Sequence, residues 1–328
     1  MELKDKLETI RKKSEMPALG FCLIRDGKAE EPLVLGTRKM DGDDPALVTD
    51  AFHIGSCTKA MTATLIGQLI EQKKLKYETT LGELYSFTPA LWKPVSVAHL
   101  LAHRSGIGKR TEPKGLTLND LHRWKTTDRL KWLRARLATA PSNPTGEKYE
   151  YSNGGYLTLG IICETLTRKP WEVLMKERIF QPLGITTAGF GPPPQLYQHR
   201  FEDKKFVPYS PTEGYDNPSL IAPAGGCYLT LSDWAKFGLF HLNETPSLRA
   251  LHAPAFGGDY AGGWVINKGQ PWAGGDALTH GGSNVMNYAV IWLAPKKGFG
   301  VLAATNMYKE GIEKAMNDVV LEGIRAVF

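Results

Sequence analysis

The sequence predicts an α+β protein: a central antiparallel sheet flanked by N- and C-terminal helices, with a mostly helical inserted domain between the strands. Three observations predict it. Segments of strand character lie before residue 40 and after residue 260, segments of helical period fill residues 80 to 215, and both ends of the chain carry helical patterns. At 328 residues, 42% hydrophobic and 23% charged, the chain is long enough to bury a sizeable core and has the composition of a soluble globular protein. The expected division is 1–80 as the first part of an α/β domain, 81–215 as a mostly helical domain, and 216–328 as the second part of the α/β domain.

A first helix is expected over residues 3–14, then two strands, "ALGFCLIRDG" and "EEPLVLGTRK", joined by a turn at Asp26-Gly27. From Ser56 the period becomes 3.6: Met61, Leu65 and Leu69 share one face, and Ala60, Ala63 and Gly67 admit close neighbours, so this helix is buried. Helices then follow at "SVAHLLAH", "LNDLHRW", "DRLKWLRARLA", "GGYLTLGIICETL" and "PWEVLMKERIF", the last with Pro170 in its first turn and Pro182 beyond its end. Residues 191–223, rich in proline, predict a long surface loop. Strands at "GGWVIN", "NYAVIWLAP" and "GFGVLAATN" precede a closing amphipathic helix, "EGIEKAMNDVVLEGIRAVF".

The net charge of +6 has a local source, since residues 104–136 hold ten Lys/Arg against three acids with Trp124 and Trp132 interleaved. Leu130, Leu133 and Leu137 stand at helical spacing there, so the basic residues are expected on the solvent face of an amphipathic helix and no nucleic-acid partner is expected. Cys22, Cys57, Cys163 and Cys227 are widely spaced, which argues for buried free thiols over a zinc or redox motif. The opening "MELKDKLETIRKKSEMPALGF" has no apolar run of signal-peptide or membrane-spanning length. A cytoplasmic protein with no membrane partner is expected; a periplasmic or secreted one would require an export signal already removed.

Chemistry concentrates at "HIGSCTKAMTATLIG". Ser56 and Lys59, three apart on a helix, share a face, so the amine can reach the hydroxyl. Burial among Ala60, Met61 and Ala63 would lower the lysine pKa toward useful basicity, and the helix N-terminus would favour a developing oxyanion. A serine hydroxyl needs such a base to become a nucleophile. In "YEYSNGGYLTLG", Tyr151 and Asn153 offer a phenol to carry a proton and a carboxamide to donate to substrate. In "LTHGGSN", which follows a strand, His280 precedes two glycines that let backbone approach a ligand. No serine stands in a G-x-S-x-G elbow, and His99 and His103 in "HLLAH" lack the glutamate of a zinc helix, so no metal is expected.

In this order, Ser56-Cys57-Thr58-Lys59, Tyr151-Ser152-Asn153 and His280-Gly281-Gly282 resemble the active-site pattern of the penicillin-recognising serine hydrolases. The tyrosine of the second motif is similar to that of the class C β-lactamase branch and its relatives, the family VIII carboxylesterases, D-alanyl-D-alanine carboxypeptidases and D-aminopeptidases. "LLAHRSGI", "IFQPLGITTAGFG", "APAGGCYLTLSDWAKFG" and "APKKGFGVLAATN" extend the resemblance from about residue 17 to the end. It implies a β-lactamase/transpeptidase-like fold and an acyl-enzyme on Ser56, with Lys59 and Tyr151 sharing the proton. It also implies backbone N–H groups of Ser56 and Ser283 on the oxyanion, Asn153, His280, Gly281 and Gly282 at the substrate, and no cofactor.

His280 stands where the β-lactamases usually carry lysine. The expected activity is therefore a carboxylesterase of small to medium acyl esters with weak or no β-lactam hydrolysis. A class C-like β-lactamase, a D-amino-acid-specific peptidase and a silent sensor or scaffold are the alternatives. Expected partners are a small ester, β-lactam or short peptide; the sequence leaves the oligomeric state open, with a monomer or weak dimer expected. With histidine at an ordinary pKa, turnover of anionic β-lactams is expected to improve relative to esters as pH falls.

Overall fold

The computed structural model describes residues 2–328. Helix α1 (Leu3–Lys13) leads into strand β1 (Ala18–Arg25). The chain reverses at Asp26 and Gly27, whose φ values of 52° and 72° suit the twist of a tight hairpin. It pairs with β1 at Lys28–Ala29 and again at Leu33–Gly36, on either side of the segment that contains Pro32. A single tight turn, Gly55–Cys57, opens helix α2 (Thr58–Glu71). Helices α3 (Asn153–Thr167) and α4 (Leu231–Leu242) follow. Strands β2 (Trp264–Gln270), β3 (Gly275–Ser283), β4 (Tyr288–Ala294) and β5 (Phe299–Thr305) precede the last helix, α5 (Ile312–Arg325).

The main sheet has eight strands, in the order Lys28–Ala29, β1, β5, β4, β3, β2, Tyr260–Ala261, with Leu33–Gly36 on the remaining part of the β1 edge. Every pairing in it is antiparallel, so the two ends of the chain meet where β1 lies beside β5. Both faces are covered. Leu7, Met316, Val320 and Ile324 of α1 and α5 pack on one face with Val301. On the other, Ile24, Leu293 and Leu302 join Ile66, Phe237 and Tyr156 in a core that runs on into the helical segment. Burial on both faces explains why β5 reads as an unbroken apolar run, with all seven of its residues buried. Among the described residues no helix is long and apolar enough to cross a membrane.

Three expectations of local structure are corrected. Residues 191–223 are no simple loop: Gln198–Glu202 and Lys205–Tyr209 form a hairpin, and Met307–Tyr308 joins it in parallel. Its turn residues, Asp203 and Lys204, both take positive φ without a glycine, so the usual hairpin signal is missing. The basic helix Arg129–Leu137 does not turn all its cations to solvent. Arg129 is buried in ion pairs with Glu164 and Glu172, and Arg136 is buried while donating to the Ile107 carbonyl. Leu130, expected on the apolar face, is exposed instead. Finally, His280 to Ser283 lie within β3 and do not follow it.

Candidate active site

Ser56 sits in the turn that opens α2, and Lys59 lies one helical turn further in with no solvent exposure. Lys59 Nζ is 3.0 Å from Ser56 Oγ, 2.7 Å from Asn153 Oδ1 and 2.6 Å from the Ala224 carbonyl oxygen. The last two atoms only accept. In the neutral amine these two acceptors take both N–H bonds and the lone pair is left for the serine hydroxyl. Burial disfavours the charged form, holding the Lys59 pKa well below the ordinary lysine value.

Asn153 reaches Lys59 because it does not cap its own helix. Ser152 does so, accepting from Gly155 N–H at 3.1 Å, which releases the Asn153 side chain. Its Oδ1 faces Lys59, so its NH2 is the end turned elsewhere on a residue that lines the cleft. Tyr151 arrives from the preceding extended segment, its ring centroid 4.8 Å from Lys59 Nζ. Burial pushes its phenol above the ordinary tyrosine range, while the Ser56 hydroxyl acts the other way. His103 backs this tyrosine at a ring separation of 4.4 Å and accepts the Ser152 N–H on Nδ1 at 3.0 Å. Desolvation and the nearby Lys59 hold His103 well below its usual pKa, so it serves as neutral packing.

Strand β3 closes the other side of the cleft. A Cβ added to Gly282 would collide with the Ile54 carbonyl and stand 2.6 Å from the Ser56 nitrogen, and one on Gly55 would collide with the Ser283 nitrogen. The two glycines thus bring the backbones of Ser56 and Ser283 together, and the glycine requirement in "HGGS" is steric. Gly281 lies on the opposite face against the Tyr288 hydroxyl. Ser283 Oγ accepts from Val285 N–H at 2.8 Å. His280 is buried, with Nε2 2.9 Å from the Tyr260 hydroxyl and Nδ1 2.6 Å from the Gly281 carbonyl. Burial, with Lys59 nearby, lowers its pKa to about 3. A ring held so low does not supply the protonated form on which the expected acid-dependent gain for anionic substrates rests.

A cavity of about 180 Å³ opens at Ser56, between Asn153, Asn217, Ile221, Ser283 and Val285. A second cleft of about 490 Å³ also reaches Asn217 and runs past Asp216 and Phe190 to His122. The motifs singled out in the sequence therefore meet in one place. Sequence reasoning missed the Ala224 carbonyl, Tyr260, Asn217 and the role of His103. Ala224 and His103 lie in quoted segments, "APAGGCYLTLSDWAKFG" and "LLAHRSGI", but a carbonyl leaves no signal in residue type and the spacing of His103 suggested only a metal helix.

A family model described as Beta-lactamase matches residues 3–323. The chain is similar to Penicillin-binding protein 4 of Amycolatopsis lactamdurans, 26% identical over 334 residues, covering 92% of this chain and 83% of that protein. It is 22% identical over 322 residues to Protein flp of Staphylococcus aureus strain COL, covering 92% of this chain and spanning 62% of that protein. Among solved structures, the D-amino acid amidase from Ochrobactrum anthropi SV3 has a similar fold, with a TM-score of 0.79 at 20% identity, covering 98% of this chain and 99% of that one.

Proposed function

This chain belongs to the beta-lactamase family of serine hydrolases, and from that premise we infer that it is a carboxylesterase of small to medium acyl esters, acting through an acyl-enzyme on Ser56. Neutral Lys59 takes the Ser56 proton as the hydroxyl oxygen attacks the acyl carbonyl, and the backbone N–H groups of Ser56 and Ser283 receive the oxyanion. Tyr151 gives its phenol proton to the departing alkoxide and takes in its place the proton that Lys59 holds. The Tyr151–Lys59 pair then accepts a proton from water as the water oxygen attacks the acyl-enzyme, and passes it to Ser56 Oγ, giving free Ser56 and a carboxylic acid. Asn153 holds the lysine and borders the acyl group. No step calls for a metal or organic cofactor.

The observation that carries the preference for esters is the absence of fixed positive charge in the cleft lining at Ser56. That lining is Ser56, Asn153, Asn217, Ile221, Ala224, Gly225, Ser283, Asn284 and Val285, none of them basic. Buried His280 is neutral, with its pKa lowered to about 3, so nothing at the head of the third motif attracts a carboxylate. A charge-assisted hydrogen bond is worth about 1.5–3 kcal/mol against about 1 for a neutral one. Anionic β-lactams forgo that difference and neutral esters do not. The cavity of about 180 Å³ suits an acyl group smaller than a drug-sized ligand.

The test is kcat/KM for p-nitrophenyl acetate, butyrate and octanoate beside nitrocefin and D-alanine p-nitroanilide, in the wild type and in Ser56→Ala. The short esters are expected to be turned over best, and Ser56→Ala to be inactive on all. Nitrocefin or the D-amino-acid amide as the best substrate would replace the esterase reading; activity in Ser56→Ala would remove the mechanism.

A further inference from the structure

A buried polar chain that the chemistry above does not use links the two backbone donors of the oxyanion site. His53, fully buried at the end of the short strand Phe52–His53, accepts the Gly55 N–H on Nδ1 at 3.1 Å. Its ring proton therefore sits on Nε2, which lies 3.2 Å from Asp216 Oδ2. The other oxygen of Asp216 accepts from Asn284 Nδ2 at 2.8 Å. Gly55 immediately precedes Ser56 and Asn284 immediately follows Ser283, so the chain runs from beside one donor to beside the other.

Asp216 belongs to neither element that carries a donor. It comes from the loop after the hairpin, and Gln198 fastens that loop by donating to the Tyr215 carbonyl while accepting from Asn284 Nδ2 at 2.8 Å. Asn284 is further fixed through its Oδ1, which accepts from the backbone nitrogens of Met286 and Asn287 at 3.2 and 2.9 Å. A carboxylate with only 6% side-chain exposure, receiving one hydrogen bond from each side, spans a gap that two neutral donors could not close. The next residue, Asn217, lines the cavity at Ser56.

Resting on the acyl-enzyme reading given above, we propose that Asp216, through His53 and Asn284, is a positioning residue that sets the spacing of the Ser56 and Ser283 N–H groups. Those donors act on charge that develops only in the transition state, so a change in their spacing lowers kcat and leaves substrate binding alone. Misplacement on the ångström scale is enough for losses of order 10²-fold.

Asp216→Asn is the informative change, because it keeps the shape and turns one acceptor into a donor that must face either His53 Nε2–H or Asn284 Nδ2–H. His53→Asn cuts the same link from the other end while its Oδ1 can still accept the Gly55 N–H. Both variants, their combination, and Ser56→Ala are assayed on p-nitrophenyl butyrate. Rates are expressed per site titrated by a fluorophosphonate, and thermal unfolding is followed alongside. Each single variant is expected to lose about 10- to 100-fold in kcat with KM within about twofold. The double variant is expected to lose no more than the worse single one. Unchanged kcat per titrated site, a loss appearing in KM, or a double loss equal to the product of the single losses would overturn the proposal. Should Asp216→Asn fail to fold, His53→Asn decides alone by the same split of kcat against KM. Activity in Ser56→Ala, or labelling at another residue, identifies instead a failure of the acyl-enzyme reading.

Discussion

The Tyr260 hydroxyl donates to His280 Nε2 across 2.9 Å, and the opposite ring nitrogen lies 2.6 Å from the Gly281 carbonyl oxygen. A carbonyl can only accept, so Nδ1 carries the proton and Nε2 takes the tyrosine's. Both nitrogens are committed to the protein.

With the His280 pKa lowered to about 3 by burial, the ratio of kcat/KM for a neutral ester to that for nitrocefin is expected to stay constant between about pH 5.5 and 8. Parallel pH profiles on the two substrates check this. A ratio that moves toward nitrocefin in acid would mean that the ring gains a proton during turnover.

Lys59 and Tyr151 are expected to act as one proton-handling unit, since the amine lies 4.8 Å from the phenol ring and 3.0 Å from Ser56 Oγ. Lys59→Arg puts a permanent cation there that can never offer a lone pair, so it is expected to lose about 10²- to 10⁴-fold in kcat, as is Tyr151→Phe. The double variant should be scarcely worse than either. Because the lysine must be neutral to act, activity is expected to fall as pH drops through its lowered pKa, measured on an ester whose own hydrolysis is subtracted.

Acid is expected to destabilise the fold earlier than carboxylate titration alone would. Burial lowers His199 and His252 from 6.5 to about 4 and His280 to about 3. Above pH 6.5 these rings are neutral in both the folded and unfolded chain, and the fold keeps its full stability. Below it the unfolded chain takes up protons that the folded rings refuse until their lowered values are reached. Each ring then costs about 1.4 kcal/mol per pH unit in that window. Unfolding midpoints in denaturant at pH 7, 6 and 5 should fall progressively; a flat series would contradict the burial of these histidines.

Val285, 49% exposed at the rim of the cavity, has φ 63°, a conformation that a β-branched residue adopts only under strain. Val285→Asn is expected to relieve about 1 kcal/mol, raising the unfolding temperature by about 2 °C. A fall in that temperature would show that the valine packs usefully. The same variant should leave the Ser56-directed phosphonate reaction intact, since its side chain touches none of the proton-transfer groups.

Local pattern by itself determined the element types that seat the chemistry. Ser56 and Lys59 are three residues apart across the turn that opens α2, so their meeting is a local matter, and the apolar face of Met61, Leu65 and Leu69 buries that helix wherever it packs. Strands such as β4 and β5 were legible for the same reason: alternation and apolar runs are properties of neighbouring residues. The order of three motifs identified the family before any of them could be placed in space. What only the tertiary structure decided are relations between residues distant in sequence. The Ala224 carbonyl and Asn153 Oδ1 that orient the lysine, and the Tyr260 hydroxyl that commits His280, converge from separate segments. So do His53, Asp216 and Asn284 behind the oxyanion site. No spacing encodes such encounters. The lowered pKa of His280 likewise follows from exclusion of water by surrounding aromatic rings, and desolvation is a property of the packed interior and not of the residue.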